Sequence, residues 1–409
     1  MSIQRILSDL ESHRQSYEEL YKHFHRNPEL SLQEYKTADR VESELKGFGI
    51  EEVLRIGKTG IVAILRNGDG PVVAMRGDID ALPMAERSGK DYAAEGVTQV
   101  DETTGKETPV AHTCGHDFHT VCLLGATRAL HDHRDDWSGT FIAVFQPGEE
   151  NAAGAKAMVE AGIVDKVPRP DVYLGQHVLG TLPGGAVGIR SGPLFSAAAS
   201  IEITLYGKGS HGSMPNLGVD PIVLGSAIVT RLQTIVAREV SPRATAVVTV
   251  GSFHAGTKSN IIPDSAVLQL NTRAFDREVE KQLHEGIERI VRAECEAARS
   301  PKEPEFRYYD QYPLTSNHEE PTVKVRAAFD AFFGDDSVDM APVPASEDFS
   351  VIPDAFGCPY TYWGLGGFRD WQNAPGNHSP FFAPDIQPTL DRGIEAIVVA
   401  ASPWLVRER

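Results

Sequence analysis

The chain has 409 residues, 41% of them hydrophobic and 23% charged, with four cysteines and a formal net charge of -18. That length exceeds one ordinary core and suits two or three domains. The acidity is spread along the chain without a basic run, which makes nucleic acid and acidic membrane poor partners, and no apolar run approaches the ~20 residues needed to span a bilayer.

Residues 4–24 have the spacing of an amphipathic helix. HRNPELSLQEYKTADRVESELKGFG reads as a Pro-containing turn followed by a second helix ending at Gly47 or Gly49. GIVAILRN and PVVAMRGDID are strands. The second is an apolar run that breaks into charge at Arg76, Asp78 and Asp80, as a buried strand does where its C-terminal end opens into a site. Residues 86–110 are polar and without period, a long excursion with room for a small hairpin. AHTCGHDFHT then runs into the apolar helix VCLLGATRAL. SGTFIAVFQPGEE and DVYLGQHV are two more strands ending in polar residues, separated by a helix around AAGAKAMVEAG. Three strands in a row therefore carry Asp78 and Asp80, Glu149 and Glu150, and His177 at their C-terminal ends, the edge where open α/β sheets bind ligands. The alternation predicts an α/β fold with a mostly parallel sheet covered by helices.

After Gly192 the pattern changes. ASIEITLYGKGS alternates apolar and polar, a helix follows at 219–238, TAVVTVGSFHAG and AVLQLNTRAFD form a strand pair, a helix spans 277–298, and EFRYYDQYP is a last strand. The order β-α-β-β-α-β predicts a small α+β unit of ferredoxin-like type. From Pro313 the earlier rhythm resumes, with a helix at 320–333, the SEDF turn, the strand CPYTYWGLG, a loop holding His378 and a closing helix at 386–401. The expected organisation is a main domain over 1–192 and 313–409, interrupted by an insert over 193–312.

Cys114 and His116 lie two positions apart around Gly115. A thiolate and an imidazole at that spacing converge on one ion if the backbone turns between them, and glycine makes the turn easy. The adjoining helix N-terminus favours the thiolate of Cys114. Together with Glu150, His177 and His378 they make five donors, too many for one tetrahedral zinc and suited to two divalent ions. The mixture of sulfur, nitrogen and oxygen fits Zn, Mn, Co or Ni better than Mg or Ca. Glu149, beside Glu150, has the placement of a general base.

Each residue taken singly has a plainer reading. His177 alone is a core histidine at a strand end, and the pair Glu149–Glu150 alone is an acidic helix start held by the dipole. His211, between Gly and Ser, is by spacing no better than a surface histidine. Asp78 and Asp80 read as supports for ligands or for Arg76 rather than as ligands. His112 and His119 flank the motif as supporting or capping groups, and His23 and His25 read as structural. GKGS at 207–210 lacks the spacing of a phosphate loop, and no G-x-S-x-G elbow occurs.

The set MRGDIDALPM, HTCGHD, FQPGEE, LGQH, HGSMP, SNIIPD, SEDF and NHSPFF resembles, in order and over nearly the whole chain, the M20 metallopeptidase family. The likeness is greatest to its amidohydrolase branch, which acts on N-acyl amino acids, hippurate and auxin conjugates. The resemblance implies two divalent metal ions held by Cys114, His116, Glu150, His177 and His378, with Glu149 as general base and acid toward a metal-activated water. It implies that His211 in the insert polarises the scissile carbonyl, often across a homodimer, and that Asn260 and Arg273 meet the substrate, an N-acyl or N-aroyl amino acid. A dipeptidase or carboxypeptidase on the same scaffold, or a non-catalytic ligand-binding relative, are the alternatives. The scattered cysteines Cys114, Cys122, Cys295 and Cys358, and an N-terminus without an apolar segment, lead to an expected cytoplasmic location. Two features stand apart from the family pattern: the length of 86–110, and Gly77 where relatives commonly carry Ala, a change read as harmless.

Overall fold

The computed structural model of the chain describes residues 2–406. Two compact units are present, one comprising Met1–Gly192, Ser316–Ala341 and Asp348–Arg409, the other Pro193–Thr315 and Pro342–Glu347.

The first unit is built on an eight-stranded sheet. Its strands are β1 (Val53–Ile56), β2 (Gly60–Asn67), β3 (Val72–Asp78), β4 (Gly139–Gln146), β5 (Val172–Pro183), β6 (Val187–Ile189), β11 (Ser337–Asp339) and β12 (Tyr360–Phe368), with β7 to β10 lying in the other unit. The spatial order is β1-β2-β4-β3-β5-β12-β6-β11. The centre is parallel, from β4 through β3 and β5 to β12, and antiparallel pairs flank it. β2, β3 and β4 are apolar along most of their length because both faces are covered, as the continuous hydrophobic runs predict.

Helices α1 (Leu10–Arg26), α2 (Tyr35–Gly47), α3 (His116–Asp132), α4 (Gly154–Glu160), α7 (Glu319–Phe333) and α8 (Ile386–Leu405) belong to this unit. The long first helix expected over 4–24 is broken. A short helix on Ser2–Ile6 precedes α1, and the break falls at Ser8–Asp9, residues that compete with helix by bonding nearby backbone. Phe118, Val121 and Leu124 of α3, Ile394 and Ile397 of α8, and Met75 and Phe145 of the sheet share one buried core. The 86–110 excursion does contain a hairpin, Thr98–Val100 paired with Glu107–Pro109.

In the second unit, β7 (Ala197–Tyr206), α5 (Pro221–Thr234), β8 (Ala246–Ala255), β9 (Ser265–Ala274), α6 (Arg277–Ala297) and β10 (Glu305–Tyr312) follow the predicted β-α-β-β-α-β order. Its sheet, β8-β9-β7-β10, is antiparallel throughout. Ile201, Ile203, Leu268 and Leu270 meet Leu224, Ile228, Leu283 and Ile287 in a separate core. Asp220 and Asp276 cap α5 and α6, each accepting two backbone N–H groups of the first turn. The segment 342–347 joins this unit by backbone bonds, Val343 N–H to the carbonyl of Leu194 at 2.8 Å and Ser196 N–H to that of Ala345 at 2.9 Å.

Among the described residues no helix is long and apolar enough to cross a membrane.

Candidate metal centre

The five donors named from the sequence meet in the first unit. Gly115 is left-handed, with φ 89°, and caps α3. This turn brings the side chains of Cys114 and His116 round to the same side. Cys114 Sγ lies 3.5 Å from His177 Nε2. His116 Nε2 lies 3.7 Å from Glu150 Oε1, and His378 Nε2 lies 3.2 Å from Glu150 Oε2. Donor atoms of Cys114, His116 and Glu150 all fall within 4.8 Å of one another, a spacing that can hold a metal ion. His378 adopts φ 65°, a left-handed conformation unusual outside glycine and a strain that clusters at functional sites. Its imidazole is half exposed and opens the centre to solvent.

His177 is not at the end of its strand as expected. β5 continues to Pro183 because β12 pairs with it well past that point. On the other side, pairing with β3 stops at Arg76 opposite Gly175. One neighbour has therefore ended, and His177 faces the crevice from within a strand.

The histidine tautomers follow from what the second nitrogens do. His116 Nδ1 donates to Asp80 Oδ1 at 3.1 Å and His177 Nδ1 donates to the Val178 carbonyl at 2.9 Å, so Nε2 of each ring is the nitrogen turned toward Glu150 and Cys114 respectively. This is the carboxylate–imidazole and carbonyl–imidazole support that metal-binding histidines receive. His119 differs. Its Nε2 accepts from Val178 N–H at 2.9 Å and its Nδ1 bonds Asp78. Both nitrogens are engaged, which makes His119 a brace between β3 and β5 beside His177. Asp78 is held in turn by Arg76, whose guanidinium also meets Asp348 of SEDF and Gln146. Asp80 supports His116 at Nδ1, while Asp78 Oδ2 lies 3.5 Å from His116 Nε2, and Asp78 offers a ligand atom within 4.8 Å of those of His116, His119 and His177.

The donor set fits divalent cations. His116 Nε2 and Glu150 Oε1 are buried, point into the centre and have no hydrogen-bond partner. Facing one another at 3.7 Å, they are eased by a proton on His116 or by a cation that takes that proton's place. Burial works against a charged His116, but the carboxylates of Asp78, Asp80 and Glu150 outweigh it and raise its pKa to about 10. Cys114 departs from expectation. Burial, followed by the charges of Glu150, Glu149 and Asp78, pushes its thiol well above the ordinary range, so the helix dipole does not set its state. Those carboxylates arrive from other strands and have no signature near Cys114 in the sequence. A cation reverses the balance, and its uptake displaces protons from Cys114 and His116.

Glu149 is buried at 5% exposure, with Oε2 3.9 Å from His116 Nε2. His112 is buried with neither ring nitrogen partnered, and burial lowers its pKa to about 4, which keeps it neutral. His25 is structural, but more than a helix-end residue. It bridges Asp117 at 2.6 Å and Glu86 at 3.0 Å, and the two carboxylates overcome its burial to raise its pKa to about 9. Asn377 was not singled out from the sequence. Its side-chain amide reaches the carbonyls of Cys114 at 3.2 Å and Val178 at 3.0 Å, tying the His378 loop to two other donor segments.

Gly77 is not neutral to Ala. A β-carbon there meets the His119 carbonyl oxygen at 2.9 Å, so the glycine lets α3 lie close on β3. Gly77→Ala is expected to destabilise the protein by about 1–3 kcal/mol, seen as a lower urea midpoint, because backbone must shift.

The remaining candidates belong to the second unit. His211 pairs with Ile261, and Gly212 N–H bonds the Asn260 carbonyl at 2.8 Å, so the HGSMP and SNIIPD segments lie side by side. His211 Nδ1 accepts the N–H of Ser213 at 3.1 Å, which leaves the proton of the neutral ring on Nε2. Arg273, on β9, is half-buried and rests on Asn271 at 3.0 Å and Ser346 at 2.5 Å, both neutral.

Comparison with known proteins agrees over most of the chain. An N-acetyl-L-cysteine deacetylase of Bacillus subtilis is 36% identical over 366 residues, covering 89% of this chain and 82% of that protein. A hippurate hydrolase of Campylobacter jejuni is 34% identical over 354 residues, covering 85% and 87%. The YXEP protein of Bacillus subtilis, described as a dinuclear metal-binding peptidase of the M20 family, superposes with a TM-score of 0.78 at 29% identity, over 96% of this chain and 98% of that one. The model of peptidase family M20/M25/M40 matches residues 74–401, and the chain belongs to that family.

Proposed function

We propose that the chain is a binuclear metal-dependent amidohydrolase that cleaves N-acyl or N-aroyl amino acids. The observation that carries the reading is the pair of buried atoms without a hydrogen bond on His116 and Glu150, 3.7 Å apart and set among Cys114, His177 and His378. These five residues hold two ions drawn from Mn, Zn, Co or Ni. When bound, the ions lower the pKa of water toward neutrality and polarise a carbonyl.

Glu149 takes the proton of the attacking water and passes it to the leaving amine, which becomes the free amino acid. Its low exposure keeps that proton from bulk solvent. His211 donates from Nε2 to the carbonyl oxygen as charge develops there. Arg273, hydrogen-bonded to the neutral side chains of Asn271 and Ser346, keeps its charge for the free carboxylate of the substrate, and Asn260 meets the same substrate. The insert acts as lid and pairing element in a homodimer, a role supported by the free edge of β8 and by exposed Val223 and Val247. Four free, buried cysteines suit a reducing cytoplasm.

The test is a panel of N-acetyl and N-benzoyl amino acids and dipeptides, assayed after reconstitution with Mn, Co, Ni and Zn in turn. Metal-dependent hydrolysis of the acyl amino acids is expected. Faster cleavage of dipeptides would transfer the assignment to a dipeptidase or carboxypeptidase, and no amide hydrolysis with any metal would leave a non-catalytic binding protein.

A further inference from the structure

The segment Glu29–Glu34 supplies no metal donor, yet it is built into the underside of the site. Glu29 accepts the N–H groups of Lys36 and Thr37, which fixes the segment at the N-terminus of α2. The Ala81 N–H bonds the Glu29 carbonyl at 2.8 Å, and Leu30 bridges to Ala81 just beyond Asp80. Ser31 Oγ donates to Asp80 Oδ2 at 2.6 Å, the oxygen that also accepts Glu150 N–H at 3.0 Å. Leu32 is left-handed, with φ 60°, and its side chain covers Gly148.

Glu34 closes this arrangement. Its side chain is fully buried. Oε1 accepts the N–H groups of Leu32 and Gly148, both at 2.8 Å, and Oε2 accepts the hydroxyl of Thr59 at 2.6 Å. Burying a carboxylate is costly, and here it is spent on one strained turn and on the residue immediately before Glu149. Glu34 is 114 positions from Gly148 in sequence, so the bond is a tertiary brace and not local turn chemistry.

We propose that Glu34 is a positioning residue for hydrolysis: by holding Gly148 N–H it sets where the carboxylate of Glu149 stands. It touches no donor atom and no reacting atom. The inference rests on the reading of Glu149 as base. A displacement of about 1 Å at a reacting group costs on the order of 10²-fold in rate, so small slack at Gly148 reaches kcat.

Three variants, each assayed at saturating metal on the fastest N-acyl amino acid of the panel, test it. Glu34→Asp keeps the carboxyl group but draws its oxygens back by one methylene. It is expected to lower kcat about 10- to 100-fold with KM within about threefold. Glu34→Gln keeps an acceptor oxygen for Gly148 and is expected to stay within about threefold of wild type in kcat. Glu149→Gln separates the two readings. If it retains turnover, the base assignment fails whatever Glu34 does. If it is inactive while folded Glu34→Asp matches wild type, only the Glu34 inference falls. Equal impairment of Glu34→Asp and Glu34→Gln would also overturn it, because the acceptor geometry would then not be what matters.

Discussion

Glu149→Gln is expected to lower kcat by about 10³-fold while KM changes by no more than a few-fold and the metal content stays at wild type. The amide has the volume of the carboxylate and one of its acceptor oxygens, but it cannot take a proton. Glu149 differs from its neighbour in placement. Glu150 meets His378 Nε2 at 3.2 Å and His116 Nε2 at 3.7 Å, so both of its oxygens face imidazoles. Glu149 stands slightly further off, at 3.9 Å from His116 Nε2. Positioned proton transfer contributes typically 10²–10⁴-fold, and a base serving both attack and departure belongs in the upper part of that range. Steady-state kinetics with metal analysis of the same sample checks this. A variant that keeps most of its turnover with a full metal complement contradicts the assignment.

Cys114→Ala is expected to reduce the bound metal and to weaken uptake more severely than Asp80→Asn. Loss of a supporting carboxylate typically costs about 10–100-fold in metal affinity, and loss of a direct donor costs more. Asp80 acts through His116 Nδ1 at 3.1 Å, whereas Cys114 Sγ faces His177 Nε2 itself at 3.5 Å. Removing the thiol leaves the three carboxylates Glu150, Glu149 and Asp78, whose charges act on Cys114, with one donor fewer for the cation they attract. Equilibrium dialysis against Zn or Mn measures the order. Equal metal content in Cys114→Ala and wild type would remove Cys114 from the donor set.

Some of the residues gathered at this centre were legible in the sequence because a local pattern changes beside them, though His177 lies inside its strand. Apolar strands break into charge at Asp78 and Glu149, and Gly115 separates Cys114 from His116. The insert was legible from its switch to alternating strands, which needs only one buried sheet face. The supports were not. Ser31, Glu34 and Asn377 are single polar residues in aperiodic segments, and their roles come from partners far away in the chain, such as Gly148 for Glu34 and Val178 for Asn377. Gly77 and Cys114 went astray for the same reason. The His119 carbonyl that crowds Gly77 and the carboxylates that raise the Cys114 thiol are brought there by tertiary packing.

Anomalous diffraction from crystals soaked in Zn or Mn tests the binuclear centre most directly. Two peaks about 3.5–4 Å apart are predicted among Cys114 Sγ, Glu150 and the Nε2 atoms of His116, His177 and His378. No peak there, or metal bound only elsewhere on the chain, would contradict the account.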